Sequence, residues 1–544
     1  MLTVNPVIRG FSADPSVIRV DDWYYASVST MEWFPTLPLY RSPNLADWEF
    51  VGSVDTAVPR GDLLGVPSSA GVWAPSLSYS DGVFWITYSI VRTLMARHFD
   101  LTTYVSTTSA IGGPWSAPFR VPGHGFDPSL FHMDGHLYLL NLYNDCRVGG
   151  KRFAGIVACE LQPEMDSAQI LTHGQPHLLL RSETLLEGPK MFAKDGWFYL
   201  LLAEGGTGWE HGVRVARSRS VYGPYELDAV PLLTSREDPS LDLAKAGHGE
   251  IVTTPDGSYL LAHLASRPLS TPGGPRCPLG RETCVQNIEW IDEWPRLAGG
   301  GHTPSLLAVV PNVPPPPGFR RSDSPGDFSD LPGWPWSSPR RPVAESINLV
   351  ARPGWVRLRG AFSATSLWDQ ALVAQRLTEF RSDVAVVVDA SPETFTQAAG
   401  LILFYNDQSY YSLDVTWAEP EGEAQEGQQW AGRGRRVFVL EHGRPDGTVI
   451  EATADAGAGP WNLGARIEDG WIQFSSGPVG GPLTPIGPPL DLTELSDDFG
   501  PRLRFTGVMA GIHAMDLVDG KWTADFSDWS LTYPDAPPRD LSGS

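Results

Sequence analysis

The sequence predicts an all-β protein in two parts, a five-bladed β-propeller followed by a β-sandwich. Three observations carry the prediction. A hairpin pattern recurs five times in the first 310 residues, a Pro-rich stretch follows it, and a second set of short alternating strands fills the remainder. Composition agrees. The 544 residues exceed what one hydrophobic core supports, and Gly (56), Pro (49) and Trp (20) are abundant, as expected of many turns and aromatic strands.

The repeats come first in the chain. They are ADPSVIRVDDWYYASVS from Ala13, WAPSLSYSDGVFWITYS from Trp73, FDPSLFHMDGHLYLLNL from Phe126, EGPKMFAKDGWFYLLLA from Glu187 and HGEIVTTPDGSYLLAHL from His248. Each has an acid in its tight turn (Asp21, Asp81, Asp134, Asp195, Asp256), and Gly follows it in all but the first, where Asp22 stands. An Asp-Gly step between two β-type runs is a strong hairpin signal. Counting back seven residues from each acid gives Asp14, Ala74, Asp127, Gly188 and Gly249, about 60 residues apart. A unit of that length opening on a hairpin reads as a four-stranded blade. Five blades then occupy residues 1–312. A sandwich with coincidental hairpins is the alternative, and it does not explain five units in register.

The first strand of each blade lines the central axis, so equivalent positions converge. The counted-back position supplies Asp14 and Asp127, and the residue before it supplies Trp73, Glu187 and His248. Three carboxylates that face one another repel, and at least one pKa should rise. Glycoside hydrolysis uses such an arrangement: one carboxylic acid protonates the leaving oxygen and one carboxylate activates water. A third carboxylate can hold the acid's pKa up. Taken singly, each residue has a plainer reading. Asp14-Pro15 and Asp127-Pro128 suit turns, Glu187 precedes Gly-Pro, His248 suits a buried hydrogen bond, and Trp73 suits a core. Convergence by register favours the chemical reading for the acids.

The formal net charge of −23 argues against nucleic acid or an anionic membrane as partner, because phosphate binding needs clustered Lys and Arg. The N-terminal MLTVNPVIRGFSADPS lacks a basic region followed by an apolar one, so a cytoplasmic location is expected. Cys146, Cys159, Cys277 and Cys284 form no CxxC pair and are expected as free thiols.

Residues 313–343, with PPPPG, SDSPGDF and LPGWPWSSPRRP, read as an extended linker without regular structure. Beyond it, SDVAVVVDA, AAGLILFYN, SYYSLDVTW, RRVFVLE and WIQFSS are short strands between Gly, Asp and Pro turns, which places a β-sandwich over 344–536.

The segments NPVIRGFSADPS, STMEWFP, GGVWAPSLSY, GFDPSLF, LLEGPK, LLAEGGT, AGHGEIV and CPLGRET resemble, in order and spacing, the signatures of glycoside hydrolase family 43, in its two-domain β-xylosidase and α-L-arabinofuranosidase branch. The resemblance spans about Asn5 to Tyr533. It implies a propeller followed by a jelly-roll or concanavalin-like sandwich. It assigns Asp14 as general base, Glu187 as general acid and Asp127 as the residue that orients the acid and tunes its pKa. It places Arg281 on the hydroxyls of the terminal sugar, although by composition Arg281 equally suits a salt bridge. Trp73 and Ala74 line the sugar pocket. His248 lies beneath the site, near a divalent cation, often calcium, held through water, since one imidazole cannot satisfy an ion wanting six to eight oxygens. Phe505, in FTGVMAGIHAMDL, reaches from the sandwich across the pocket mouth; sandwich core is its alternative. Lys190 stands where many relatives carry His or another residue; pointing inward it would lower the acid's pKa, and strand alternation equally allows it to point outward.

The expected activity is therefore an inverting, exo-acting β-xylosidase on β-1,4-xylooligosaccharides, with no required cofactor and a homo-oligomeric state by analogy. Inversion implies carboxyl groups about 6.5–9.5 Å apart. An α-L-arabinofuranosidase, alone or as a dual activity, keeps the same chemistry. A non-catalytic carbohydrate-binding protein is the alternative of another class.

Overall fold

The computed structural model describes residues 1–54, 63–94, 97–164, 169–419, 426–427, 433–501 and 504–534. The chain is almost wholly β, and among these residues no helix is long and apolar enough to cross a membrane.

The N-terminal half is a propeller of successive antiparallel sheets. Its innermost strands are Ser16–Val20, Gly71–Ser80, Ser129–Met133, Leu186–Lys194 and Ala244–Thr253. They neighbour one another in that order, and the last returns to the first. Leu2–Val4 pairs with Leu307–Val309 (Leu2 opposite Val309), which ties the start of this half to its end.

Turn chemistry fixes the hairpins. Asp81-Gly82, Asp134-Gly135 and Asp195-Gly196 all have both φ values between +50° and +81°, the conformation a type I′ two-residue turn requires. The fifth hairpin is longer: Thr253 pairs with Tyr259 across Thr254–Ser258. At the opposite end of the inner strands, Asp14, Ala74, Asp127 and Gly188 all have φ between +40° and +56°. The fifth member of this set is His248 (φ +48°), one residue before the counted position, and the longer turn accounts for the offset.

The C-terminal half packs an eight-stranded sheet on a six-stranded one. Alternate residues of Ser382–Asp389 (Val384, Val386, Val388) meet Leu401, Leu403 and Leu413 from the facing sheet in one core, the period-2 pattern of a strand with one buried face. The other face of the six-stranded sheet is also covered. Its Leu372, Ile402, Phe404 and Met509 enclose Trp33 of the propeller.

The Pro-rich stretch differs from the expected linker. Phe328–Asp330 forms a 3-10 turn capped by Asp327, Ser338–Pro339 pairs with Trp33–Phe34, and Trp336 is fully buried in the sandwich core. Trp334 stacks on Phe50 with centroids 4.7 Å apart. Proline excludes long ladders here, but the aromatic residues between the prolines find cores on both sides. Buried ion pairs join the two halves directly: Arg9 with Glu379 (2.5 Å) and Arg267 with Glu379 (3.1 Å), with Arg267 also held by Glu282 within the propeller (2.7 Å). All four Cys are free, and Cys159, Cys277 and Cys284 are buried.

Candidate active site

The left-handed residues at the ends of the inner strands surround a cavity of about 190 Å³, lined by Asp14, Asp127, Glu187, His248 and Arg281 on its polar side. Trp73, Phe99, Phe126, Phe153 and Phe505 form its apolar side. Non-glycine residues in this conformation are strained, and such strain concentrates where function needs a side chain aimed against the backbone's preference.

Asp14 is buried and fully engaged. Ser29 Oγ donates to its Oδ2 (2.6 Å), Arg281 Nη1 donates to its Oδ1 (2.9 Å), and His248 Nδ1 lies 3.5 Å from the same oxygen. Burial pushes its carboxyl up, but Arg281, His248 and the Ser29 hydroxyl together hold it below the usual carboxylate range. Asp127 accepts the Gly188 N–H (3.1 Å) and, through burial and the charge of Asp14, is pushed up to about 7. Glu187 lines the cavity from a half-buried position. Burial, then the charges of Asp127 and Asp14, raise its carboxyl well above the ordinary value. One carboxylate is thus kept ionised and another kept protonated within a single pocket, the division of labour that acid and base catalysis requires.

Asp14, Trp73, Asp127, Glu187, His248, Arg281 and Phe505 line this pocket, and Ala74 and Lys190 stand outside its lining. Trp73 is a wall, edge-on to Phe126 (5.4 Å) and Phe505 (5.5 Å), its Nε1 donating to Ser69 O. Ala74 stands behind the lining, its N–H donating to Ser29 Oγ (2.7 Å). Phe505 belongs to the propeller's aromatic cluster rather than to the sandwich core. Arg281 is the partner of Asp14, so its salt-bridge reading holds geometrically. Lys190 points inward and is buried. Its Nζ donates to Ser76 Oγ (2.7 Å) and lies 3.5 Å from Glu250 Oε2. It lowers Asp127's pKa, yet burial and the acid pair still keep Glu187 high.

The cation expected near His248 does not fit these residues. Burial lowers His248 to about 4, with Lys190 and Arg281 adding positive charge around it. A neutral imidazole, a second imidazole (His211, lowered to about 3) and one carboxylate already paired with Arg281 do not make the oxygen cage calcium needs. Elsewhere among the described residues, Cys277, Asp497 and Asp498 cluster. Lys245 Nζ lies 2.8 Å from both of those carboxylates and fills the place of a cation.

Sequence reasoning missed Ser29, His211 and the aromatics Phe99 and Phe153. Ser29 sits in the STMEWFP segment and His211 in a loop of the fourth repeat. Neither occupies a repeat-equivalent position, so register gives no signal for them.

A group of acids split in protonation around one pocket, on a propeller backed by a sandwich, defines a glycoside hydrolase. Family models agree on both halves: residues 3–295 match "Glycosyl hydrolases family 43" and residues 327–532 match "Beta xylosidase C-terminal Concanavalin A-like domain". The chain belongs to glycosyl hydrolase family 43. It is 36% identical to a xylan 1,3-beta-xylosidase of Vibrio sp over 96% of this chain and 97% of that protein. It is also 36% identical to xylosidase/arabinosidase 43B of Humicola insolens, over 98% of each. The crystal structure of a xylan beta-1,4-xylosidase from Bacillus halodurans C-125 superposes with a TM-score of 0.88 at 36% identity, covering 98% of this chain and all of that one. Hydrolysis in this family proceeds without a cofactor.

Proposed function

We propose that this enzyme is an inverting, exo-acting β-xylosidase that releases xylose from the non-reducing ends of β-1,4-xylooligosaccharides. The observation that carries the hydrolase reading is the geometry of one small pocket, in which Asp14, bonded to Arg281 and the Ser29 hydroxyl, faces the same space as Glu187; inversion is inferred from the resemblance to family 43. Asp14 takes a proton from water as the water oxygen bonds to the anomeric carbon. The bond from that carbon to the glycosidic oxygen breaks as Glu187 gives this oxygen its proton. Asp127 orients Glu187 and keeps it protonated. Arg281 and the Ser29 hydroxyl hold Asp14 ionised, and Trp73 and Phe505 bound the space. At about 190 Å³ the cavity is smaller than the roughly 300–1,000 Å³ of larger ligand pockets, which suits one terminal sugar and an exo mode.

A propeller of five blades over 1–312, a connecting segment over 313–343 and a sandwich over 344–536 best accommodate the cyclic order of the inner strands. The substrate is a short neutral oligosaccharide, and the strong negative charge disfavours nucleic acid or anionic membranes. Self-association as a dimer or tetramer is proposed by analogy, and sedimentation velocity checks it: a monomer at micromolar concentration would overturn it.

Arabinofuranosidase activity, alone or beside xylosidase activity, is the second reading. It is favoured by the name xylosidase/arabinosidase of the Humicola relative and by a "Non-reducing end alpha-L-arabinofuranosidase" of Bacteroides ovatus at 30% identity. A non-catalytic sugar-binding role is disfavoured, because a binder gains nothing from opposed carboxyl ionisation.

Proton NMR of xylobiose with the wild type and Glu187→Ala tests the proposal. Early α-xylose from the wild type alone is expected. Early β-xylose would overturn inversion, and no release would move the assignment to arabinosides, tested with the two nitrophenyl glycosides.

A further inference from the structure

Phe505 enters the pocket from the sandwich side, just before the strand Met509–Asp516, and both of its main-chain polar groups are taken by the propeller. Its N–H donates to Ser69 Oγ (3.0 Å) and its carbonyl accepts from Arg281 Nη2 (3.2 Å). Ser69 is fully buried and left-handed (φ +71°). Its carbonyl accepts from Trp73 Nε1 (3.0 Å), and its N–H donates to Glu32 Oε2 (3.0 Å). Glu32 is itself fully buried. One serine therefore ties the propeller wall of the pocket to the sandwich residue that closes it, and a buried carboxylate fixes that serine. A strained residue whose N–H, carbonyl and hydroxyl are all spent on neighbours is over-determined by its surroundings, the condition under which such strain persists.

The second tie runs to the chemistry. Arg281 divides its guanidinium between Asp14 (Nη1, 2.9 Å) and the Phe505 carbonyl (Nη2, 3.2 Å). Any shift of the Phe505 peptide removes one of the bonds that aim Arg281. Asp14 is faced by Arg281, His248, His211, Asp127, Glu187 and Lys190, and Arg281 is the cation bonded to it directly.

We propose that Ser69, fixed by Glu32, is a positioning residue that sets the Phe505 ring against Trp73 and the Phe505 carbonyl under Arg281, coupling pocket length to the ion pair of Asp14. The inference rests on the exo-glycosidase reading and adds to it the residues that set the outer wall.

The test is Ser69→Ala, which removes only the hydroxyl oxygen. Loss of one hydrogen bond predicts a fall of about three- to tenfold in kcat/KM for xylobiose. The acid limb of the pH profile should move to higher pH, and the preference for xylobiose over xylohexaose should narrow. Glu32→Ala should behave the same way, whereas Glu32→Gln, which keeps an acceptor for the Ser69 N–H, should stay near the wild type. A Ser69→Ala enzyme with the wild-type acid limb and length preference overturns the proposal, even if it melts earlier. A crystal structure of that variant reads the same contacts without turnover. The Phe505 and Trp73 rings should part from 5.5 Å, and unmoved rings with Arg281 still on the Phe505 carbonyl sink the idea. A wild type that releases neither xylose nor arabinose would instead defeat the functional reading, leaving the crystallographic arm to decide this one.

Discussion

At the residue scale, the three acids differ through their neighbours rather than their chemistry. Asp14 has a guanidinium and a hydroxyl; Asp127 has one backbone N–H; Glu187 has two carboxyls nearby. Activity needs Asp14 ionised, so it is lost as pH falls through that lowered pKa. It needs Glu187 protonated, so it is lost as pH rises through that raised one. Asp14→Asn and Glu187→Gln should each cost about 10²–10⁴ in kcat/KM for xylobiose, and Glu187→Gln should spare nitrophenyl glycosides, whose leaving group needs less protonation. Equal loss on both substrates would argue against Glu187 as the acid. Asp127→Asn removes a charge that supports the protonated acid, so the alkaline limb should move to lower pH. The same variant has a stability signature. Wild-type Asp127, raised from 3.8 to about 7 in the folded state, binds a proton that the unfolded chain has released, so its contribution to stability declines as pH rises from about 4 to 7. The melting temperature of Asp127→Asn relative to the wild type should therefore be higher at pH 8 than at pH 5. A constant difference would mean Asp127 is not raised.

At the element scale, left-handed residues mark both ends of most inner strands. Type I′ turns set the register of the second, third and fourth hairpins, and at the other end Asp14, Asp127 and His248 present side chains to the pocket. Gly188 occupies that second position in the fourth repeat at φ +56°, and a Cβ there would lie 3.0 Å from His248 Nε2. Gly188→Ala should cost about 1–2 kcal/mol from the left-handed conformation alone, measured by urea denaturation. It should also lower kcat/KM by displacing the imidazole beside Asp14. Wild-type kinetics in a destabilised variant would separate His248's position from catalysis. The aromatic elements were only partly readable. Trp73 and Phe126 border repeat motifs, but Phe99 and Phe153 lie in stretches with no repeat counterpart, and only folding brings them to the same wall.

At the scale of the whole molecule, two halves share one active site, and their contact is built like an interior. Glu379 of the sandwich lies between Arg9 and Arg267 of the propeller, all largely buried. Glu379→Ala leaves two guanidinium groups without that partner and should cost about 3–5 kcal/mol. By calorimetry the wild type should melt in one transition, and the variant should melt earlier in one transition. Two separated peaks would show that the halves unfold independently and that the ion pairs are not what joins them.

The hairpins and the ring of acids are legible in the chain because they follow from local rules. Asp-Gly turns declare hairpins, hairpins at a fixed period declare blades, and register alone brings Asp14, Asp127 and Glu187 to one axis. Those rules are short-range, so they survive without knowledge of packing. They slip by one residue at His248, where a longer turn changes the count. The tertiary structure decided what depends on contacts between segments far apart in the chain. It turned Lys190 inward onto Glu250, gave Arg281 to Asp14, drew Trp336 of the Pro-rich stretch into a core, and linked Glu32 and Ser69 to Phe505 more than 400 residues away. It also left no oxygen cage for a cation at His248. A residue's protonation and partners are set by burial and by the charges folded against it, and neither is written in its neighbours along the chain.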